Sequence, residues 1–385
     1  MNLRLRRDEL LTNLKKCQTI IKTKNILPVL SNVLLEKKGD KLKIEANNLE
    51  IVRVIMLGDI YAEGEDVSFC LPHSLLVSIL ASSTSSDVVF ELKDHERKCQ
   101  IKLEDAQFNI PYLLEEEFPK FDSMMSETLE TDCHIKAEVL YELFRKTIYA
   151  ASTDDDNRIK LNCVNLSYDK VMKEIRTVAT DGQRLAKSKI LNFSLENIEN
   201  FATKISLSSF PHVLSFLKDC EQGANVRFKL NSKIGILDYK GNYVCFRLLE
   251  NDALDVDKYF SEYEKDYTAL EFNKDQLSMF LTRAEILYGK TSHIVFHFDD
   301  DCLSVSVKNQ DLGQLVDKIP ILTKNNHKLM ICFNPKYLIE SLNNLGGERV
   351  KIYYKENTLP IIMEAEKEGV SKDIGVVMPL RFLDN

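Results

Sequence analysis

Short runs of alternating apolar and polar residues, each ending at a polar or proline position and leading into an apolar stripe of helical spacing, recur about six times along the chain. One series opens at Leu3–Leu14, His134–Phe144 and Leu270–Leu281, at intervals of roughly 130 residues. A second falls between them, at Val67–Leu80, Ile205–Leu217 and Leu329–Leu342. The pattern predicts three similar domains, each of two similar halves, with a strand leading into a helix in each half. Two polar segments that follow aromatic closes, Ser123–Thr131 and Ser261–Thr268, read as linkers. The expected domains are therefore 1–122, 132–260 and 269–385. A repeated scaffold serves shape more readily than catalysis, which needs one unique constellation of side chains.

Period-two runs follow the helices. Val33–Glu36, Lys41–Ala46, Val88–Leu92 and Cys99–Leu103 alternate, with Gly39-Asp40 and Asp94-His95 in the intervening loops. Val226–Leu230, Gly235–Tyr239, Val350–Tyr354 and Ile361–Ala365 echo them later. These runs predict antiparallel sheets with helices segregated to one side, an α+β arrangement. In the first helix, Leu10, Leu14, Cys17 and Ile21 make the inward stripe, while Lys15 and Lys22 fall on another face with Lys16 beside them and Lys24 just beyond. In the second repeat Val139, Leu140, Leu143 and Phe144 are expected to pack, and Lys136, Arg145 and Lys146 are not. In the third, Leu277, Phe280 and Leu281 alternate with Lys274 and Arg283. Lysines on helices are ordinarily a solvated surface. Their recurrence in an acidic protein allows a second arrangement, in which the basic helix faces share one surface and the strands carry the acidic excess.

The formal net charge of −8 over 385 residues argues, as a total, against a nucleic-acid binder, unless the charge is segregated by face. No run approaches the roughly 18 apolar residues of a membrane span, and the basic N-terminus has no apolar stretch behind it. The expected location is the cytoplasm. Nine cysteines are scattered singly with no CxxC pair, the pattern of buried small hydrophobes in a reducing compartment rather than of disulfides or zinc. There is no HExxH, P-loop, GxSxG or GxGxxG. Asp154–Asp156 and Asp299–Asp301 lack further spaced ligands and read as solvated loops, and His293 and His297 lie in a strand-like run. No catalytic residue, metal or cofactor is expected.

Two segments stand out. Arg176–Ala186 reads as a β-hairpin around Asp181-Gly182, with the glycine supplying positive φ. Val376-Val377-Met378-Pro379-Leu380-Arg381-Phe382 reads as an extended strand that stops at a sheet edge, with an apolar surface that suits either the core or a partner. Together with Leu27-Pro28-Val29-Leu30-Ser31-Asn32, Phe333–Leu338 and Arg283–Leu287, these segments closely resemble the beta subunits of bacterial DNA polymerase III, the sliding clamps. The matching segments occur in the same order over essentially the whole length.

The resemblance implies a head-to-tail homodimeric ring around duplex DNA, with helices lining the hole and sheets outside. It implies sequence-independent, phosphate-directed contact with DNA. Candidates to face the DNA are Lys15, Lys16, Lys22, Lys24, Lys136, Arg145, Lys146, Arg158, Lys160, Lys274 and Arg283. It also implies a groove for short hydrophobic peptides from the polymerase alpha subunit, the clamp loader and repair proteins. Leu161, Thr180, Gly182, Gln183, Arg184 and Leu185 would form one wall. Asn334, Tyr337, Val376, Val377, Met378, Pro379, Leu380 and Arg381 would form the other. Leu254 and Lys258 would stand above, in a stretch that departs from the family's aromatic-proline-aspartate-tyrosine pattern. Gln183 stands where histidine is frequent, and Leu383–Asn385 extends past the groove motif. Phe108 and Ile110 of one subunit would meet Ile286 and Leu287 of the next. Two other readings compete: a peptide-binding scaffold that does not encircle DNA, and an enzyme holding a metal in its aspartate loops.

Overall fold

The computed structural model describes residues 2–21, 27–58, 60–63, 65–93, 97–119, 129–153, 161–249, 266–289, 292–323, 325 and 327–380. All six expected strand–helix beats are present. Strand Asn2–Arg6 leads into α1 (Arg7–Cys17), Val67–Pro72 into α2 (His73–Ala81) and Thr131–Lys136 into α3 (Ala137–Thr147). Phe201–Ser206 precedes α4 (Phe210–Asp219), Thr268–Asn273 leads into α5 (Lys274–Ile286), and Leu329–Ile331 precedes α6 (Pro335–Asn344). Among the described residues no helix is long and apolar enough to cross a membrane.

Local chemistry explains the helix ends. In α1 the buried stripe Leu10, Leu14 and Cys17 follows the predicted spacing, with Asp8 and Glu9 in the first turn and Lys15 and Lys16 in the last, each sign suited to its end of the dipole. The Asn273 side chain caps α5 by accepting from Gln276 N at 3.1 Å. Asn334 does the same for α6, accepting from Lys336 N at 3.0 Å, with Pro335 in the first turn. Replacing Asn334 with alanine should lower stability by about 1 kcal/mol, read as a lower urea midpoint at unchanged slope.

The chain divides into two compact units, residues 1–138 with 211–248, and residues 139–210 with 249–385. The stretch 132–260, expected as the middle domain, is shared between them. In the first unit, a five-stranded sheet runs Tyr61–Glu63, Asn2–Arg6, Asp87–Lys93, Lys98–Lys102, Gln107–Pro111. A nine-stranded sheet in the same unit joins the strands of the first repeat to the last strands of the second. Its seam is the antiparallel pair Ile51–Leu57 and Asn242–Arg247, in register at Val54 and Tyr243.

The second unit has the same plan. Its eight-stranded sheet runs Phe201–Ser206, Cys163–Asp169, Glu174–Thr180, Arg184–Ile190, Ser371–Val377, Ile361–Lys367, Arg349–Tyr354, Thr268–Asn273. A four-stranded sheet runs Gly313–Pro320, Cys302–Asn309, Ser292–Phe298, Leu329–Ile331. All these pairings are antiparallel, and α5 and α6 pack on each other over a core that includes Phe280, Phe296, Phe333 and Val377. Gly375 permits the close approach of α6, since a Cβ there would lie 3.0 Å from Ser341 Cβ.

One expectation is corrected at the C-terminal strand. Ser371–Val377 is not an edge; it lies mid-sheet, paired with Arg184–Ile190 on one side and Ile361–Lys367 on the other. Pro379 falls just past the strand, where it removes no ladder hydrogen bond.

A second correction concerns Lys146, whose side chain is only 15% exposed. Its ammonium meets Asp373 Oδ2 at 2.7 Å, and Ser188 Oγ and Gly346 N donate to the same carboxylate at 2.6 and 3.0 Å. This buried hub ties α3, two central strands and the turn after α6. The spacing of Lys146 on α3 carried no sign of it, because the carboxylate comes from more than 200 residues away.

Six of the nine cysteines are buried, the other three are half-buried, and all nine are free thiols. Burial pushes the Cys17, Cys70 and Cys99 thiols up to about 12, so they behave as hydrophobes.

Candidate functional site

The predicted hairpin forms the centre of the site. Strands Glu174–Thr180 and Arg184–Ile190 pair antiparallel, with Thr180 opposite Leu185. Gly182 adopts φ +87°, which favours glycine. Asp181 Oδ1 accepts from the backbone N–H of Gln183 and of Arg184, both at 2.9 Å, an Asx turn that organises the loop. Thr180 Oγ1 donates to Arg184 O at 2.6 Å and accepts from Gly182 N at 3.0 Å.

Opposed residues of antiparallel neighbours share a face. Thr180, Leu185, Val376, Ile362 and Tyr353 therefore form one row across five strands of the eight-stranded sheet. Val376 packs on the cluster of Tyr353, Ile362 and Ile374. Val377 points the other way, fully buried in the core beneath the helices, so it is not a wall of the groove. The chain stays extended past the strand: Met378 N donates to Gln183 O at 2.9 Å and Leu380 N to Cys332 O at 2.8 Å. Met378 is 41% exposed and Leu380 40%, an unusual exposure for large apolar side chains flanking a fixed backbone. Leu161 is half-buried, and its carbonyl accepts from Ser152 N.

On the opposite, helix-side face Arg184, in register with Val377 and 12% exposed, holds a polar cluster together. Its Nε donates to Asp181 Oδ2 at 3.0 Å, and its Nη1 pairs with Glu340 of α6. The guanidinium lies over the Tyr337 ring at 4.6 Å and the Tyr149 ring at 5.5 Å. Tyr149 donates to Ser341 Oγ at 3.1 Å, and burial pushes its phenol up to about 12. Asn334 and Tyr337 stand at the start of α6, with the Asn334 side chain committed to its cap and the Tyr337 ring against Arg184. Tyr149 and Glu340 went unrecognised in the sequence because no local pattern marks a partner 156 residues from Arg184. Leu254, Lys258, Arg381 and Leu383–Asn385 lie outside the described residues.

The basic candidates divide by environment. Lys15 and Lys136 are exposed and make no ion pair among the described residues. Lys16 is half-buried and pairs with Asp219 at 3.1 Å. Arg145 pairs with Glu142 at 2.8 Å and Arg283 with Asp317 at 2.5 Å. Lys274 Nζ donates to Leu345 O at 2.5 Å, and burial lowers its pKa. Lys22, Lys24, Arg158 and Lys160 lie outside the described residues. Of the aspartate runs, Asp154–Asp156 also falls outside them, whereas Asp299–Asp301 is a turn in which Asp300 pairs with Lys328 at 2.8 Å. Among the described residues no three His, Cys, Asp or Glu side chains converge as metal ligands.

Each of the four sheets ends in two edge strands among the described residues, and two of these edges matter here. Gln107–Pro111 ends the five-stranded sheet and Gly313–Pro320 the four-stranded one. On the first, Ile110 turns inward and is buried, Phe108 is half-buried, and Gln107, Asn109 and Pro111 are exposed. Near the second, Val316 is 80% exposed, Leu312 63% and Ile286 69%, with Leu287 half-buried.

Residues 1–122 match the family described as the DNA polymerase III beta subunit, N-terminal domain, and residues 264–381 match its C-terminal domain. The beta sliding clamp of Streptococcus pneumoniae serotype 4 is 25% identical over 357 residues, covering 89% of this chain and 89% of its own. That of Caulobacter vibrioides is 23% identical over 408 residues, covering 99% and 100%. The crystal structure of the DNA polymerase III subunit beta from Pseudomonas aeruginosa shares the fold, with a TM-score of 0.87 at 22% identity over 99% of this chain and 100% of that one. The family matches take in more than half of the residues and carry the motifs at both ends, so the chain belongs to the DNA polymerase III beta subunit family, the beta sliding clamps.

Proposed function

We propose that two copies of this chain close head to tail into a ring around duplex DNA and tether the replicative polymerase to its template. Family membership makes the chain a non-enzymatic processivity factor of DNA replication. The ring reading rests above all on two of the edge strands, Gln107–Pro111 in one unit and Gly313–Pro320 in the other, with large apolar side chains beside the second. Such edges invite pairing, and a second copy that pairs them would cover both the backbone groups and the apolar surface. In that arrangement 1–122, 132–260 and 269–385 act as three clamp domains. Lys15 and Lys136 would meet phosphates together with Lys22, Lys24, Arg158 and Lys160, and retention would be topological rather than sequence-specific. The strip around Leu185, Val376, Met378 and Leu380 would receive extended apolar peptides of the polymerase alpha subunit, the clamp loader and repair proteins. The working compartment is the cytoplasm.

Gel filtration with light scattering should give twice the 44.3 kDa chain mass. Loaded protein should stay on nicked circular DNA and leave once the circle is cut. A strictly monomeric chain that is never retained on circles would leave only the peptide-scaffold reading.

A further inference from the structure

Strand Ile51–Leu57 carries one charged residue, Arg53, among six apolar ones, and the Arg53 side chain is only 4% exposed. It shares a face of the strand with Ile55 and Leu57. With them it lines a cavity of about 290 Å³, walled also by α1 and the end of α4 and lying wholly in the first unit. A guanidinium has five N–H donors. Arg53 donates from Nη2 to Asp219 Oδ2 at 3.3 Å, while among the described residues its buried Nε has no acceptor. Buried donors without a partner are rare in native folds and point to a missing acceptor. Charge points the same way. Asp219 Oδ2 is shared between Arg53 and Lys16, whose Nζ lies 3.1 Å away, so one carboxylate faces two cations. Elsewhere in the wall Lys240 and Glu221 neutralise each other at 2.5 Å. Glu9 is exposed in the first turn of α1, about 10 Å along the helix from Lys16. From this arrangement we infer that the cavity binds a small organic monocarboxylate, with its oxygens toward Arg53 and Lys16 and its apolar body against Phe216 and Ile55. A carboxylate matches the planar fork of guanidinium donors. The local surplus of one positive charge suits a single negative charge rather than a polyphosphate, and the volume lies at the small end of ligand pockets.

Benzoate supplies that chemistry, and benzamide is a neutral molecule of nearly the same shape. Both are titrated into the intact protein by calorimetry at fixed ionic strength. Benzoate should bind and raise the melting temperature with its concentration, and benzamide should do neither. Arg53→Met removes the donors and should weaken benzoate at least about tenfold. Asn13→Phe keeps Arg53 and fills the cavity from a half-buried position on α1, so it should abolish binding while the melt of the free protein stays near the parent's. That second variant decides the matter if Arg53→Met does not fold. Absence of benzoate binding, equal binding of benzamide, or benzoate binding that survives Asn13→Phe overturns the inference. Inorganic phosphate that binds as tightly as benzoate overturns the choice of a carboxylate.

Discussion

Replacing Asp373 with alanine should lower the free energy of unfolding of the second unit by about 3–5 kcal/mol, because it strands the Lys146 ammonium where water scarcely reaches it. The side chains of Asp373 and Lys146 are 5% and 15% exposed, and the loss also leaves Ser188 Oγ and Gly346 N without their acceptor. Two further variants separate charge from packing. Asp373→Asn keeps the shape and some hydrogen bonds but removes the charge, so it should fall between parent and alanine. The double variant Asp373→Ala with Lys146→Met removes the buried ammonium and should recover much of the loss, since an apolar replacement of a buried pair is often nearly neutral. Urea unfolding at constant slope reads all three. A D373A midpoint equal to the parent's would show that the hub contributes nothing.

The second large effect is expected in binding. Met378→Ala with Leu380→Ala should weaken an anchor peptide by at least about 2 kcal/mol, a loss of roughly thirtyfold. Both side chains are exposed on a backbone that Gln183 O and Cys332 O hold in place, so truncation removes contact surface without opening the core. Stability should change little for the same reason, which distinguishes this pair from Val377, whose truncation would cut into the packed interior. Calorimetry that returned the parent's affinity for the double variant would refute this location for the groove.

Much of this was legible in the residues. The alternation of period two and the stripes of helical spacing placed every strand–helix beat, because those periods are set by backbone geometry that each segment carries within itself. The Asp181-Gly182 turn was equally local: only glycine readily takes φ +87°, and an aspartate side chain caps its own turn. Where the reading failed, it failed on partners. Ser371–Val377 looked like an edge because Pro379 follows it closely, yet strands nearly 190 residues earlier and only a few residues earlier flank it. Lys146 looked like a solvated helix lysine because its helix says nothing of Asp373.

The sequence by itself determined the elements, their sixfold recurrence, the turn chemistry and, through ordered motifs, the family. Only the tertiary structure decided which charges are free and which are consumed. It left Lys15 and Lys136 in water, buried Lys146 on a carboxylate, turned Val377 inward while Met378 stayed out, and closed Arg184 between Glu340, Asp181 and two tyrosines. The division has a physical reason. Propensity and periodicity act over a few residues, whereas burial and ion pairing depend on groups that folding brings together from more than a hundred residues apart.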